Sequence, residues 1–244
     1  MNTNENKFAF VTGTSSGIGK ATAEELLKRG WKVVGVSRRD PDLGHKNYKH
    51  LNVDLKKIEN FDKELSEYLE PVISNKNYNR IALVNNAAGT GEMLRLEELD
   101  PLELMDLFKV NLIAPVYLMG LFLKYKPNNT KLRIISLSTG AAHNAYLGMT
   151  PYCASKAALL MSVKVFALEN SNDKNLAIRS YEPGTVDTEM QLQARSQSPD
   201  KFPSVDIFKS IKANNKLVKP GHVAIKIVDF LENNEPGFSE KRLE

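Results

Sequence analysis

The first forty residues constrain the fold most. Residues 7–11 are a short apolar run of strand formers, and they lead directly into Thr12-Gly13-Thr14-Ser15-Ser16-Gly17-Ile18-Gly19. Residues 20–29 follow, with Ala21, Ala23, Leu26 and Leu27 placed to pack a helix on a sheet. After Gly30 the run Trp31-Lys32-Val33-Val34-Gly35-Val36-Ser37 reads as a second buried strand. Strand, glycine turn, helix and strand in succession make a βαβ start, the unit of a parallel sheet. Gly13 permits the tight turn. Gly17 and Gly19 let the backbone approach a pyrophosphate at a helix N-terminus, where free N–H groups and the positive dipole end favour an anion. With Ser15, Ser16 and Ile18 they form the expected cofactor loop, although an ordinary turn also needs glycine.

Apolar runs recur at 8–11, 33–36, 50–53, 81–84, 133–137 and 177–181, with helix-length segments between them. The alternation predicts an α/β protein, a Rossmann-type, doubly wound parallel sheet that binds ligands outside the carboxyl ends of its strands. At 42% hydrophobic and 25% charged residues, the 244-residue chain suits one domain spanning 1–244. A seventh strand is hard to find, because the last residues are short and charged, as if the chain stopped early.

The end of the second strand speaks to cofactor choice. An acid about 20 residues after the glycines would bind a ribose 2′-OH, whereas a base there suits a 2′-phosphate. Ser37, Arg38 and Arg39 occupy that stretch, and guanidiniums bind phosphate in bidentate fashion, so NADP(H) is expected. Asp40 lies close by, and arginines at this place also suit a plain charged surface.

Further along, Thr150-Pro151-Tyr152-Cys153-Ala154-Ser155-Lys156 puts Tyr152 and Lys156 one helical turn apart on one face. A free phenol titrates near a pKa of roughly 10. An ammonium at about 4 Å, with an effective dielectric near 20, favours the phenolate by at most about 4 kcal/mol, which would bring the tyrosine to about 7. Such a pair also fits a solvated helix face, so context decides.

The context is a set of motifs in order. The chain resembles the short-chain dehydrogenase/reductase family over nearly its whole length. The family's glycine turn matches residues 12–19, its Asn-Asn-Ala-Gly motif matches Asn85-Asn86-Ala87-Ala88, its Tyr-x-x-x-Lys matches Tyr152 and Lys156, and its Pro-Gly-x-Val-x-Thr matches Pro183-Gly184-Thr185-Val186-Asp187-Thr188. The resemblance implies that Asn86, Ala87, Pro183, Gly184, Val186, Thr188 and Lys156 contact the cofactor. It also implies that Asp54 meets the adenine and that Asn111 helps hold a proton-relay water; capping a helix and satisfying buried backbone are their alternative readings. The family's active-site serine falls by spacing on Thr139, with Ser138 one place earlier, and Ala88 stands where the family has glycine. The stretches around 146–153, 186–191 and 214–218 look most like the sepiapterin reductase and benzil reductase branch, which implies a carbonyl reductase for a diketone-like or pterin-like substrate.

Tyr146, Met149 and Met190, with the polar, proline-punctuated segment 188–218 as a lid, are expected to shape the substrate pocket. The apolar run 112–123 is too short at twelve residues to span a bilayer. By resemblance its helix and the one starting near Tyr152 would pair with a second subunit, giving a homodimer or homotetramer. Residues 1–6 are polar without an apolar leader, and the single Cys153 permits no internal disulfide, which points to a cytoplasmic protein. Cys153 itself reads as small buried filler. A net charge of +4 spread along the chain does not indicate nucleic acid, and the four histidines show no metal-ligand spacing, so no metal is expected. The rival class is an NADP(H)-binding sensor or scaffold that no longer turns over.

Overall fold

The structure, a computed structural model, describes residues 6–75 and 77–243, without the side chains of 58–64. The polar N-terminal segment, apart from Asn6, lies outside the described residues. Seven strands, β1 (Lys7–Thr12), β2 (Lys32–Ser37), β3 (Tyr48–Asn52), β4 (Arg80–Asn85), β5 (Lys131–Leu137), β6 (Leu176–Glu182) and β7 (Gly237–Arg242), form one sheet in the order β3-β2-β1-β4-β5-β6-β7. Every neighbouring pair is parallel. Around the sheet run α1 (Gly17–Lys28), α2 (Ile58–Ile73), α3 (Pro101–Phe108), α4 (Ala114–Tyr125), α5 (Thr150–Glu169), α6 (Glu189–Arg195), α7 (Val205–Ala213) and α8 (Pro220–Glu232).

The strand runs are almost continuously apolar because both faces of the sheet are covered. Along β1, Phe8 and Phe10 pack with Leu118 and Phe122 of α4 and with Leu159 and Val163 of α5. Their neighbours Ala9 and Val11 point the other way, into Leu26 and Leu27 of α1 and Ile227 and Val228 of α8. The chain leaves β1 toward β2 on one side and later returns to β4 on the other, so a crevice opens between the carboxyl ends of β1 and β4.

Two expectations change. A seventh strand exists: β7 lies beside β6 in register from Ala177 opposite Gly237 to Glu182 opposite Arg242. Five of its six residues are exposed, so it carries no apolar run, and its Lys241 and Arg242 suit a sheet edge that must stay soluble. The run 112–123 belongs to a continuous helix, Pro101–Tyr125, that is 25 residues long rather than twelve. A single turn of π-helix at Lys109–Ile113 joins α3 to α4 within it. By length and composition this helix and α5 are both apolar enough to cross a membrane, but Leu118, Met119 and Phe122 are fully buried against the sheet, as for a core helix.

Candidate active site

The crevice is built around Thr12. Its Oγ1 accepts from the N–H groups of Asn86 and Ala87, both at 3.0 Å, and the Asn86 Nδ2 donates back to Thr12 O at 2.8 Å and Gly13 O at 3.2 Å. These bonds lash the loop after β4 to the glycine loop after β1. Gly13, with φ +75°, has no room for a side chain, since a Cβ there would stand 2.8 Å from Asn86 Nδ2. Gly19 meets Gly13 O and Asn86 instead of the cavity, so it serves loop packing and not approach to a pyrophosphate as expected. Gly17, with φ +56°, opens α1, and no side chain caps the N-terminus of that helix. Gly17 and Ile18 line the cavity, so first-turn N–H groups are available to an anion there. This cradle fits a dinucleotide pyrophosphate.

Every other residue expected at the cofactor lines the same cavity of about 870 Å³: Gly13, Ser15, Ser16, Ser37, Arg38, Arg39, Asp54, Asn86, Ala87, Lys156, Pro183, Gly184, Val186 and Thr188. Arg38 and Arg39 are exposed at its rim. Arg39 meets Glu189 at 3.5 Å, but both side chains are about 70% exposed, so the pair is weak and the guanidinium can turn to a phosphate. Asp40 does not oppose them directly, because its Oδ1 accepts from the Asp42 N–H in a local turn. Ser37 is buried, and its hydroxyl donates to Arg39 O at 2.7 Å, which fixes the arginine loop. Asp54 Oδ1 accepts from Lys56 N–H in a turn of its own rather than capping α2.

The catalytic candidates meet at the other end. Tyr152 and Lys156 stand on the first turns of α5, Thr139 and Ser138 follow β5, and all four line the cavity. The expectation that Lys156 brings Tyr152 to about 7 is corrected. Burial pushes the Tyr152 phenol up to about 12, with a hydrogen bond to the Thr139 side chain pulling the other way. Lys156 is 4% exposed; burial lowers it to about 8, and its Nζ donates to Leu137 O at 2.9 Å. Among the protein's own groups, desolvation therefore outweighs the Thr139 hydrogen bond that favours the phenolate. Of the two candidate hydroxyls, Thr139 is the one bonded to the phenol.

Asn111 does not line the cavity. It is fully buried in the π-helical turn, where its Oδ1 accepts from Gly89 N–H at 2.9 Å and its Nδ2 donates to Gly89 O and to Ser155 Oγ, both at 3.0 Å. Both amide donors are occupied, so the side chain satisfies buried backbone and ties the loop after β4 to α5. Cys153 is only half-buried, with its Sγ near Asn144 O.

The segment 188–218 leaves and returns at one point, a bridge between Val186 and Val218. Ala194, Phe202 and Val205 bury themselves in a cluster with Met149 and Tyr152. Tyr146, Met149 and Met190 line the cavity as expected, joined by Ile207, Phe208 and Gln191, which no sequence pattern singled out. Glu182 and Arg242 also reach it as an ion pair at 3.3 Å, invisible in sequence because β7 was.

Comparison with known proteins agrees with this geometry. A family model described as short chain dehydrogenase matches residues 7–199. The chain is 33% identical over 226 residues to a benzil reductase ((S)-benzoin forming) of Bacillus subtilis, covering 91% of this chain and 92% of that one. It is 28% identical over 240 residues to the sepiapterin reductase of Xenopus tropicalis, covering 91% and 90%. A crystal structure of a short-chain dehydrogenase/reductase from Burkholderia vietnamiensis superposes with a TM-score of 0.67 at 31% identity, over 73% of this chain and 84% of that one. With the glycine cradle and the tyrosine–lysine helix in one crevice, these matches place the chain in the short-chain dehydrogenase/reductase family, oxidoreductases that act between an alcohol and a carbonyl.

Proposed function

We propose that the chain is an NADPH-dependent carbonyl reductase acting on a small ketone or dicarbonyl of diketone-like or pterin-like kind. The observation that carries this reading is the meeting of Tyr152, Thr139 and Lys156 with the glycine cradle in one cavity. The dinucleotide, held by the glycine loop, the Arg38–Arg39 rim and Asp54, supplies hydride when bound. Tyr152 keeps its proton at neutral pH because burial disfavours the phenolate. It delivers that proton to the carbonyl oxygen as negative charge builds there, while the Thr139 hydroxyl hydrogen-bonds the same oxygen. Lys156, charged below its pKa of about 8, favours the phenolate that is left. The 188–218 segment acts as a lid that closes over the substrate and excludes water.

The test is a panel of aromatic diketones, quinones and pterins assayed with NADPH and with NADH, following absorbance of the reduced nicotinamide. Consumption of NADPH with any of them supports the enzyme; tight binding with no consumption across the panel supports the rival, silent sensor. NADPH is expected to be favoured over NADH by about tenfold or more. The double substitution Arg38→Ala, Arg39→Ala should lower kcat/KM for NADPH by roughly 10–100-fold, about 1.4–2.8 kcal/mol, and leave NADH nearly unchanged. Equal use of the two coenzymes by the unaltered chain would refute the phosphate role of the arginines.

The same reading extends to a cytosolic homo-oligomer. Met105, Ile113 and Val116 on the Pro101–Tyr125 helix are exposed, as are Met161, Val165 and Leu168 on α5, the last at 76%. These apolar residues suit an interface between copies of the chain. Sedimentation should show a dimer or tetramer, and Val165→Glu should shift it toward monomer with secondary structure intact; a monomeric unaltered chain removes this part of the reading.

A further inference from the structure

We propose that Gln191 selects the substrate: its Nε2 is an oriented donor for the second oxygen of a vicinal dicarbonyl, and Arg195 is the residue that orients it. This rests on the carbonyl-reductase reading of the same cavity and names the group that would distinguish a dicarbonyl from a simple ketone. Gln191 lies on α6, is 5% exposed and forms part of the cavity wall. Ala194, three residues on and therefore on the same helix face, packs in the cluster that contains Tyr152 and Met149. That face of α6 is thus turned toward the proposed acid.

Chemistry fixes which end of the amide is free. Arg195 Nη1 donates to Gln191 Oε1 at 2.9 Å. A guanidinium has only donors, so the atom facing it must be the amide oxygen, and the other end must be the NH2 group. That Nε2 is buried and has no hydrogen-bond partner. A buried donor left unpaired is unfavourable, and a ligand acceptor placed against it recovers the loss. Asn144 Nδ2 donates to Gly140 O at 2.9 Å, and in the proposed mechanism Tyr152 and Thr139 take the reacting oxygen. A simple ketone brings no second acceptor, whereas a vicinal dicarbonyl brings one on the adjacent carbon. Met149, Ile207 and Phe208 provide apolar wall for its flanking groups. Because α6 belongs to the lid segment, closure carries the amide with it.

The experiment compares kcat/KM for benzil and for deoxybenzoin, the same skeleton with one carbonyl replaced by CH2, so that the ratio between variants cancels intrinsic reactivity. Gln191→Met should lower the benzil value by about 10–100-fold and leave deoxybenzoin within about threefold, with thermal stability no lower than that of the unaltered protein. Arg195→Met, which frees the amide to turn, should lower the benzil value by about fivefold in the same selective way. An unchanged ratio, or equal losses on both ketones, overturns the role of Gln191 while leaving the reductase reading in place. If the unaltered chain binds NADPH and reduces neither ketone, the reductase reading itself has failed, and this inference with it.

Discussion

Replacing Tyr152 with phenylalanine is expected to lower carbonyl reduction by about 10³-fold or more while NADPH binding stays within about twofold of the unaltered protein. In the proposed mechanism this hydroxyl is the proton source, and burial holds it protonated at neutral pH with a pKa of about 12. Its high value does not stop it acting as an acid, because the alkoxide oxygen left when the carbonyl carbon receives the hydride is more basic still. The substitution keeps the aromatic ring, which packs with Ala141, Met149 and Phe202. Thr139, deprived of the phenol, still accepts from the Ala141 N–H at 3.3 Å, so the local turn survives. The fold and the glycine cradle should therefore be unaffected, and the loss should fall on turnover. Single-turnover kinetics beside a direct titration of NADPH binding measure the two separately, and retained turnover would refute the assignment of the acid.

The second large effect concerns stability and activity together. Lys156→Met should abolish most of the reduction and at the same time make the protein more stable. Burial lowers the folded-state pKa of Lys156 from 10.5 to about 8. The unfolded chain therefore binds this proton more tightly, and below about pH 8 folding carries the full penalty of burying the ammonium. Between about pH 8 and 10.5 the penalty falls away, so this group makes stability rise with pH. A shift of that size corresponds to about 3 kcal/mol. The hydrogen bond to Leu137 O offsets about 1 kcal/mol of the gain when lysine is removed. The net expectation is about 2 kcal/mol at pH 7, or roughly 4–8 °C in Tm, shrinking toward zero near pH 10. Thermal unfolding of both proteins at pH 7 and at pH 10 tests the sign and the window; a methionine variant less stable at pH 7 would show that the ammonium is not an unfavourable buried charge. In the unaltered protein the same titration predicts that the reduction rate declines as pH rises through about 8, where the lysine loses its charge.

Much of this architecture was legible in the chain. Residues 7–37 announce strand, glycine turn, helix and strand through local periodicity alone, and the structure places β1, α1 and β2 there with β1 parallel to β2. Motifs at short spacing were equally readable, because their residues are neighbours both in sequence and in space. Tyr152 and Lys156 share a helix, and Asn86 and Ala87 sit directly after β4. What failed did so for identifiable reasons. An edge strand such as β7 needs polar residues, so it lacks the apolar signature used to find the others. The length of the Pro101–Tyr125 helix was obscured by Glu103, Asp106 and Lys109, charged residues that interrupt the apolar run in its first half, which joins the second half through the π-helical turn at Lys109–Ile113.

The amino-acid order by itself determined the parallel α/β framework, the crevice at its carboxyl edge and the identity of the tyrosine, lysine and glycine groups placed there, since these follow from periodicity and local spacing. Only the tertiary structure decided that the phenol is pushed up instead of down, that Thr139 is its partner, that Asn111 ties a loop, and that Gln191 leaves a buried amide donor without a partner. Each of these depends on burial or on a partner distant along the chain. Desolvation and hydrogen-bond geometry are properties of the packed molecule, and no window of sequence contains them.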